Sequence, residues 1–372
     1  MRKGLVGLIA VGAAGALALS ACGGTSSGGN EPAATGSTGA SSAAAVGKVG
    51  VILPDSASSA RWETADRKFL SDAFTAAGVE FDIQNAGGDK TKFATIADGM
   101  ISGGVKVLLI VNLDSDTGAA VIKKATAAGI PVIDYDRLTL GGGAAYYVSF
   151  DNVAVGTAIG EGLVKGMKAN GKDSGPVVLL NGSPTDNNAT LFKQGYEKAI
   201  KDAGYTIVAD QSVPDWDNTK AGTIFEQIYT ANAGKFVGVD AANDGLGGAV
   251  VAVLAKNGLA GKIPVTGQDA TDEGLQRVLL GTQCMTVYKA IKKEADAAAA
   301  LAIALAKGET PTVAGQVTDS TTGKVVASQL LVPQAIFADN VKDVVADGFT
   351  TAANLCDPSA ALKAACAKYG VS

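Results

Sequence analysis

Histidine is absent from the sequence. This side chain is the commonest general base and metal ligand in proteins, and the usual pH switch near neutrality. Catalysis by serine–histidine or cysteine–histidine pairs is therefore excluded, as is a zinc site built on imidazole. Any function has to rest on carboxylates, amides, lysine, arginine and the few aromatic residues, which make up 5% of the chain.

A basic surface and cofactor motifs are also lacking. The formal net charge is −5, so nucleic acid is not an expected partner. The run GLGGA at 245–249 follows a candidate strand but matches neither GxGxxG nor a phosphate-binding P-loop. DAANDG and DSDTG resemble the start of calcium loops, yet no glutamate stands at the twelfth position. We expect no cofactor and no bound metal.

The N-terminus has the pattern of an export signal. Arg2 and Lys3 precede an apolar stretch, 4–19, that is short for a membrane span. The stretch ends in LSAC, which resembles a lipobox, and that resemblance implies a lipoprotein signal peptide at 1–22 with lipid on Cys22. The alternative is a plain secretory peptide with a chance cysteine. Residues 23–47 are mainly glycine, serine, alanine and threonine, which predicts a flexible linker.

The other three cysteines lie far from this segment. Cys356 and Cys366 are close together near the C-terminus of an exported chain, so a local disulfide is plausible. Cys284 lies inside the apolar run QCMTVY and is expected to be a buried thiol rather than a reactive one.

Short runs rich in valine and isoleucine alternate with stretches of helical period. The candidate strands are 49–54, 79–84, 105–111, 130–135, 176–182, 205–211, 236–242 and 263–268. Between the first two, apolar residues from Trp62 to Ala77 share one face of a helix that ends at Gly78. Continuous apolar strands favour parallel sheets covered on both faces. With 372 residues, we expect an α/β protein with two sheets and roughly ten strands.

Polar side chains follow nearly every candidate strand. IPVIDYDRL places Asp136 and Arg137 directly after a buried run, and similar clusters follow the other strands. Ligands of open α/β sheets bind beyond the carboxyl ends of the strands. Two sheets with facing strand ends would form one polar cleft, and we expect Asp136 and Arg137 to line it.

Other polar clusters each have a structural alternative. In SPTDNNA, Asp186 or a neighbouring asparagine serves equally well as a helix N-cap or as a ligand contact. Trp216 follows a strand among polar neighbours, which favours an exposed stacking platform over a core position. Trp62 belongs to an apolar helix face, and Lys289 has the alternative of a solvated lysine. Carboxylates, amides, cations and two tryptophans without a nucleophile–base pair suit the binding of a polyhydroxy compound.

These segments resemble the periplasmic simple-sugar binding proteins of ABC importers, most closely the xylose-binding members. The matching segments are ARWETADR, IDYDRL, AYYVSFDN, GSPTDNNA, AANDGLGGA, VTGQDA and GTQCMTVYK. The resemblance implies a type I periplasmic binding protein: two doubly wound parallel-sheet lobes joined by a three-strand hinge. The N-terminal lobe would comprise 48–155 plus 290–325, and the C-terminal lobe 156–289 plus 326–372.

The same resemblance implies a set of sugar-binding residues and a transport role. The implied residues are Arg61, Trp62, Asp136, Arg137, Asp186, Asn188, Trp216, Asn243, Asp269 and Lys289. The expected protein is a monomer without catalytic activity. It is lipid-anchored outside the bacterial cell membrane and hands a monosaccharide, D-xylose or a related aldose, to an ABC permease. The alternatives are an aldose sensor acting on a chemoreceptor or kinase, and a secreted glycosidase using Asp136 and Asp269.

Overall fold

The computed structural model describes residues 47–372, and the predicted signal peptide, Cys22 and nearly all of the predicted linker lie outside them. Within this part of the chain the strands are β1 (Val49–Leu53), β2 (Phe81–Asn85), β3 (Val107–Ile110), β4 (Val132–Tyr135), β5 (Tyr146–Phe150), β6 (Pro176–Asn181), β7 (Thr206–Ser212), β8 (Gly238–Ala241), β9 (Thr286–Tyr288), β10 (Gly315–Thr318), β11 (Val325–Leu331) and β12 (Gln334–Ile336).

Helices follow most of these strands. They are α1 (Arg67–Ala76), α2 (Lys90–Ser102), α3 (Ser115–Ala127), α4 (Asn152–Ala169), α5 (Asn187–Asp202), α6 (Asn218–Ala231), α7 (Asp244–Lys256), α8 (Asp272–Leu279), α9 (Ile291–Ala306), α10 (Val341–Ala346), α11 (Ala352–Cys356) and α12 (Ala360–Tyr369). Between 47 and 372, none of the helices is long and apolar enough to cross a lipid bilayer.

A seven-stranded sheet forms the first lobe. Its strand order is β10-β11-β5-β4-β3-β1-β2, and all neighbours are parallel except β10, which runs antiparallel to β11. Alternate residues enter two cores: Val51 packs with α1 and α9, whereas Ile52 packs with α2 and α3. Coverage on both faces explains why these strands are apolar along their whole length. The doubly wound α/β fold predicted from the sequence is confirmed.

The second lobe contains a parallel sheet of order β7-β6-β8. Val239 bridges Val265, and the backbones of Gly267 and Asp269 are hydrogen-bonded to Val287 of β9. These contacts place the two-stranded antiparallel sheet of β9 and β12 beside the parallel one. Helices α4 and α5 pack closely because Gly156 has no side chain. A Cβ atom there would lie 2.0 Å from the carbonyl oxygen of Phe192.

The chain passes between the two sheets three times. It crosses after β5, again between β9 and α9, and a third time between β11 and β12. Because β11 pairs with β5, we propose that the last segment of the first lobe extends to Leu331 rather than ending at 325. In this proposal the last segment of the second lobe begins at 332 rather than 326, and the other boundaries keep their predicted positions.

Several elements differ from the sequence-based expectation. The segment 263–268 forms only an isolated bridge, while β5 and the strands after residue 280 were not among the candidate strands. The helix expected from Trp62 is a π-helical turn, Trp62–Asp66, that continues into α1. Its predicted end is confirmed, because Gly78 adopts a positive φ of 66° that favours glycine.

The C-terminal helices form an apolar cluster with α8. Leu355 of α11 and Leu362 of α12 pack with Leu275, and a disulfide joins Cys356 to Cys366. Cys284 is a free, half-buried cysteine, and burial raises the pKa of its thiol to about 12. A thiol with so high a pKa is a poor nucleophile near neutrality.

Candidate functional site

A small polar cavity lies where the carboxyl ends of the strands of both lobes meet. All ten predicted site residues line it: Arg61, Trp62, Asp136, Arg137, Asp186, Asn188, Trp216, Asn243, Asp269 and Lys289. It contains about 310 Å³ of space, part of which is open to solvent.

Asp136 is the centre of the charged network. It follows β4 at a positive φ of 63°, and its Oδ2 lies 2.9 Å from Arg61 Nη1 and 3.4 Å from Lys289 Nζ. Burial opposes its ionisation, but Lys289, Arg61 and Arg137 hold the pKa of Asp136 well below its usual range. The carboxylate is therefore ionised at neutral pH and can accept hydrogen bonds from hydroxyl groups.

Arg61 makes most of its bonds to protein carboxylates. Its Nε and Nη2 bind Asp66 at 2.9 and 2.8 Å, and Nη2 also reaches Glu294 at 3.3 Å. Burial would lower the pKa of Arg61, but the three surrounding carboxylates raise it well above its usual value. With Nη1 on Asp136, four of the five guanidinium N–H groups are engaged. Arg61 therefore fixes the carboxylates and retains one donor for a ligand.

Both tryptophans line the cavity. Trp62 is 3% exposed, with the guanidinium of Arg61 4.1 Å from its ring centroid. The expected exposed position of Trp216 is wrong, since this residue is 6% exposed. A single 3₁₀ turn, Pro214–Trp216, folds its ring over Gly182, 6.5 Å from the ring of Phe192. The polar segment after β7 suggested exposure, but the Trp216 ring is covered by Asp186 and Phe192.

Asp186 combines the two roles that the sequence left open. Its Oδ1 accepts a hydrogen bond from the backbone N–H of Asn188 and so caps α5. Its Oδ2 lies 3.0 Å from Arg137 Nε and 3.0 Å from Trp216 Nε1. The carboxylate therefore joins the first lobe to the second on the cavity wall.

Asn188 and Asn243 also connect the lobes. Asn188 Nδ2 donates to the carbonyl oxygen and to Oδ1 of Asp136, each at 3.0 Å. Asn243 caps α7 through Oδ1, while its Nδ2 donates to the carbonyl oxygen of Ser58 at 3.2 Å. Such contacts hold the two lobes together around the cavity.

Lys289 is buried rather than solvated. It is 4% exposed, and its Nζ lies 3.4 Å from both Asp136 Oδ2 and Asp269 Oδ1. Asp269 adopts a positive φ of 95°, and its Oδ1 has no hydrogen-bond partner among the described residues. The Oε1 atom of the adjacent Gln268 is likewise buried without a partner. Buried acceptors without donors at a cavity wall are suited to bind ligand hydroxyl groups.

Four lining residues were not predicted: Ser58, Ser59, Phe192 and Gln268. Ser58 and Ser59 lie in the polar run after β1, and Gln268 precedes Asp269, so strand-end position was the available signal for these three. Phe192 lies on the helix after the SPTDNNA segment, where helical period alone indicates a core residue. Between residues 47 and 372, no group of three or more carboxylate or cysteine side chains is placed to hold a metal ion.

Comparison with known proteins agrees with this geometry. Residues 49–310 match the family model described as the periplasmic binding protein domain. The chain belongs to this family. Membership implies an extracytoplasmic location and agrees with the resemblance found in the sequence. The fold is that of type I periplasmic binding proteins.

Individual relatives cover most of the chain. The D-xylose-binding periplasmic protein of Escherichia coli (strain K12) is 36% identical over 307 residues, which is 81% of this chain and 90% of the relative. The multiple sugar-binding periplasmic receptor ChvE of Rhizobium radiobacter is 33% identical, with coverage of 81% and 90%.

Among solved structures, a carbohydrate transporter solute-binding protein from Chloroflexus aurantiacus in complex with D-glucose has a TM-score of 0.74. It is 28% identical, and the match covers 82% of this chain and 97% of that one. These relatives are binding proteins, and this family member is a binding protein rather than an enzyme.

Proposed function

We propose that the protein is an extracytoplasmic solute-binding lipoprotein that captures one monosaccharide, with D-xylose as the first candidate, for ABC-type import. The observation that supports this proposal is the convergence of carboxylates, amides, cations and two tryptophans from both lobes on one cavity. Asp136 and Asp269 would accept from sugar hydroxyls, and Arg137, Asn188 and Asn243 would donate. The tryptophan rings would cover the C–H faces of the sugar ring.

The energetics of such a site are adequate for a transport protein. A hydrogen bond to a charged group contributes about 1.5–3 kcal/mol. Three or four of them reach the roughly −8 kcal/mol that corresponds to a micromolar dissociation constant. A sugar that contacts both lobes favours the closed arrangement, so we propose that it enters an open cleft and that the hinge closes on it.

Xylose is the first candidate because the 36% identical relative is a D-xylose-binding protein. The structural neighbour with D-glucose makes hexoses the second group to test. We further propose that Cys22 carries lipid, that the chain is a monomer, and that the closed protein delivers its sugar to the membrane subunits of an ABC permease. The linker would give the binding protein reach around its anchor.

A sensory role is the second candidate. It is favoured by the 33% identical relative, which is named a multiple sugar-binding receptor. A sensor would bind the same sugars and present the closed form to a chemoreceptor or kinase. Deletion of the cognate permease separates the two roles, because sugar uptake is lost for an importer and retained for a sensor.

Sugar identity is tested by a thermal-shift screen of pentoses and hexoses, followed by calorimetry on the positive sugars. We expect D-xylose to raise the melting temperature and to bind at one site per chain. A chromogenic xyloside incubated with the protein serves as the enzymatic control and should remain intact. Absence of a shift with every aldose would contradict the proposed function.

A further inference from the structure

A buried carboxylate that does not line the cavity lies directly behind the turn that carries Asp136 and Arg137. Asp134, at the end of β4, has no exposed surface. Its Oδ2 accepts the backbone N–H of Thr139 and its Oδ1 accepts the Thr139 hydroxyl, each at 2.7 Å. One carboxylate thus holds the far end of the turn by two bonds.

A second side chain connects the Asp134–Thr139 pair to Arg137. Asn112, at the end of β3, donates through Nδ2 to Thr139 Oγ1 at 2.9 Å and to the carbonyl oxygen of Arg137 at 3.1 Å. In return, Arg137 Nη1 donates to the carbonyl oxygen of Asn112 at 3.2 Å. The backbone of Arg137 is therefore linked to Thr139, which Asp134 holds, through the side chain of Asn112, and the guanidinium bonds the backbone of the same asparagine.

Among residues 47–372, no cation compensates the charge of Asp134. The turn between β10 and β11 presents Asp319, whose carboxylate accepts the N–H of Gly141, and β5 presents the phenol of Tyr147. On the side of β3 and α3, the neighbours of the turn are Asn112, Ser115 and Gly118, none of which titrates. Burial first, and then the charge of Asp319, raise the pKa of Asp134 to about 7.

We infer that Asp134 is a positioning residue that sets the Asp136–Arg137 turn for ligand binding, and that the affinity of the site depends on its ionisation. Ionised Asp134 accepts both hydrogens from Thr139. Protonation adds a third hydrogen to these two contacts. On Oδ2 it faces the N–H of Thr139 donor to donor, and on Oδ1 it forces the Thr139 hydroxyl to turn and accept, so that the hydroxyl hydrogen loses its acceptor. In either case the turn is held less firmly. This inference rests on the proposed function, and it predicts that affinity falls as the pH falls through about 7.

Calorimetry with D-xylose at pH 6, 7 and 8, at matched ionic strength, tests the inference. We expect the wild-type dissociation constant to be higher at pH 6 than at pH 8, by up to about tenfold. The upper limit applies if Asp134 has a pKa of about 7 in the free protein and a pKa well below 6 in the complex. Binding at pH 7 should release a fraction of a proton, measured with buffers of different ionisation enthalpy. Asp134→Asn should bind with the weaker, low-pH affinity at all three values.

Matched variants separate positioning from general damage. Thr139→Val keeps the shape of the side chain but removes the hydroxyl, so it should weaken binding at pH 8, while Thr139→Ser should retain the wild-type profile. Asp319→Asn removes the facing charge and should move the midpoint of the profile to lower pH. Asp244→Asn removes a buried carboxylate of the second lobe. In this variant the dissociation constant should differ between pH 7 and pH 8 as it does in the wild type.

Three results would overturn the inference. The first is a wild-type dissociation constant that changes less than twofold from pH 6 to 8 without proton release. The second is a pH profile that persists in Asp134→Asn. The third, which also applies if Asp134→Asn does not fold, is a Thr139→Val variant that binds at pH 8 with the affinity of the wild type. Failure of the wild type to bind any aldose at pH 8 would instead refute the proposed function, and the inference with it.

Discussion

Asn188 of the second lobe donates two hydrogen bonds to Asp136 of the first, one to its carbonyl oxygen and one to its carboxylate, each at 3.0 Å. The two residues are separated by 52 positions in the chain and belong to different lobes. Their contact joins the first turn of α5 to the residue that follows β4. A ligand that binds Asp136 therefore also binds next to the contact that holds the lobes together.

Arg137→Lys is expected to weaken sugar binding by tenfold or more. A lysine can replace the charge near Asp186 but not the planar set of donors that also reaches the carbonyl oxygen of Asn112. Calorimetry on the variant measures the loss. Arg67→Lys, on α1 outside the lining of the cavity, is the matched control and should bind like the wild type. A loss below threefold for Arg137→Lys would contradict a direct role for its guanidinium.

Trp216→Ala is expected to reduce both binding and stability. Because the ring packs on Gly182 and Phe192, its removal should lower the free energy of unfolding by about 2–4 kcal/mol. Trp216→Phe retains an aromatic ring but loses the Nε1–H bond to Asp186, and should lose affinity with less loss of stability. Urea unfolding and calorimetry give the two quantities. An unchanged free energy of unfolding for the alanine variant would show that the ring is not part of the core.

The stability of the ligand-free protein is expected to fall as the pH rises from 5 to 8. Burial raises the pKa of Asp134 from 3.8 to about 7 and that of Asp244 from 3.8 to about 6. A group whose pKa is higher in the folded state stabilises the fold fully below its unfolded pKa, and this contribution is lost as the pH rises through the folded value.

Each of these groups should contribute a slope of about 1.4 kcal/mol per pH unit where it is protonated only in the folded state. Urea unfolding at pH 5, 6, 7 and 8 measures the slope. In Asp134→Asn, the fall above pH 6 should become shallower, while burial also raises the pKa values of Asp240 and Glu294 and keeps part of the slope. A stability that rises over this range would mean that these carboxylates are ionised in the folded protein.

Loss of the Cys356–Cys366 disulfide is expected to destabilise the C-terminal helices. A crosslink between residues separated by 10 positions stabilises by about 2–3 kcal/mol in the chain-entropy account. The double serine variant should show faster hydrogen exchange in α11 and α12, with a sugar affinity within twofold of the wild type. Cys284→Ala is the control, and equal exchange in the two variants would argue against a structural role for the crosslink.

Much of the site follows from strand-end position alone. Asp136 and Arg137 come directly after an apolar run, and the carboxyl ends of parallel strands are where ligands of such sheets bind. The buried charges that surround the site could not be predicted from the sequence. Glu294 is in an alanine-rich helix with charged neighbours, where a solvated position is the ordinary expectation, yet it is fully buried against Arg61.

Three of the missed strands are short or exposed: β9 and β12 have three residues each, and β10 is a largely exposed edge strand without an apolar run. The pairing of β9 with β12 depends on the third hinge crossing, a long-range feature that local periodicity does not encode. Trp216 illustrates the same limit, because the groups that cover it come from distant parts of the chain.

Titration calorimetry of the wild type with D-xylose at pH 8 decides whether one monosaccharide binds between the lobes. We expect one site per chain with a dissociation constant of about 1 μM or lower. We also expect a loss of tenfold or more in Arg137→Lys and near-wild-type binding in Arg67→Lys. Absence of binding heat with D-xylose and with every other pentose and hexose would contradict the proposed function.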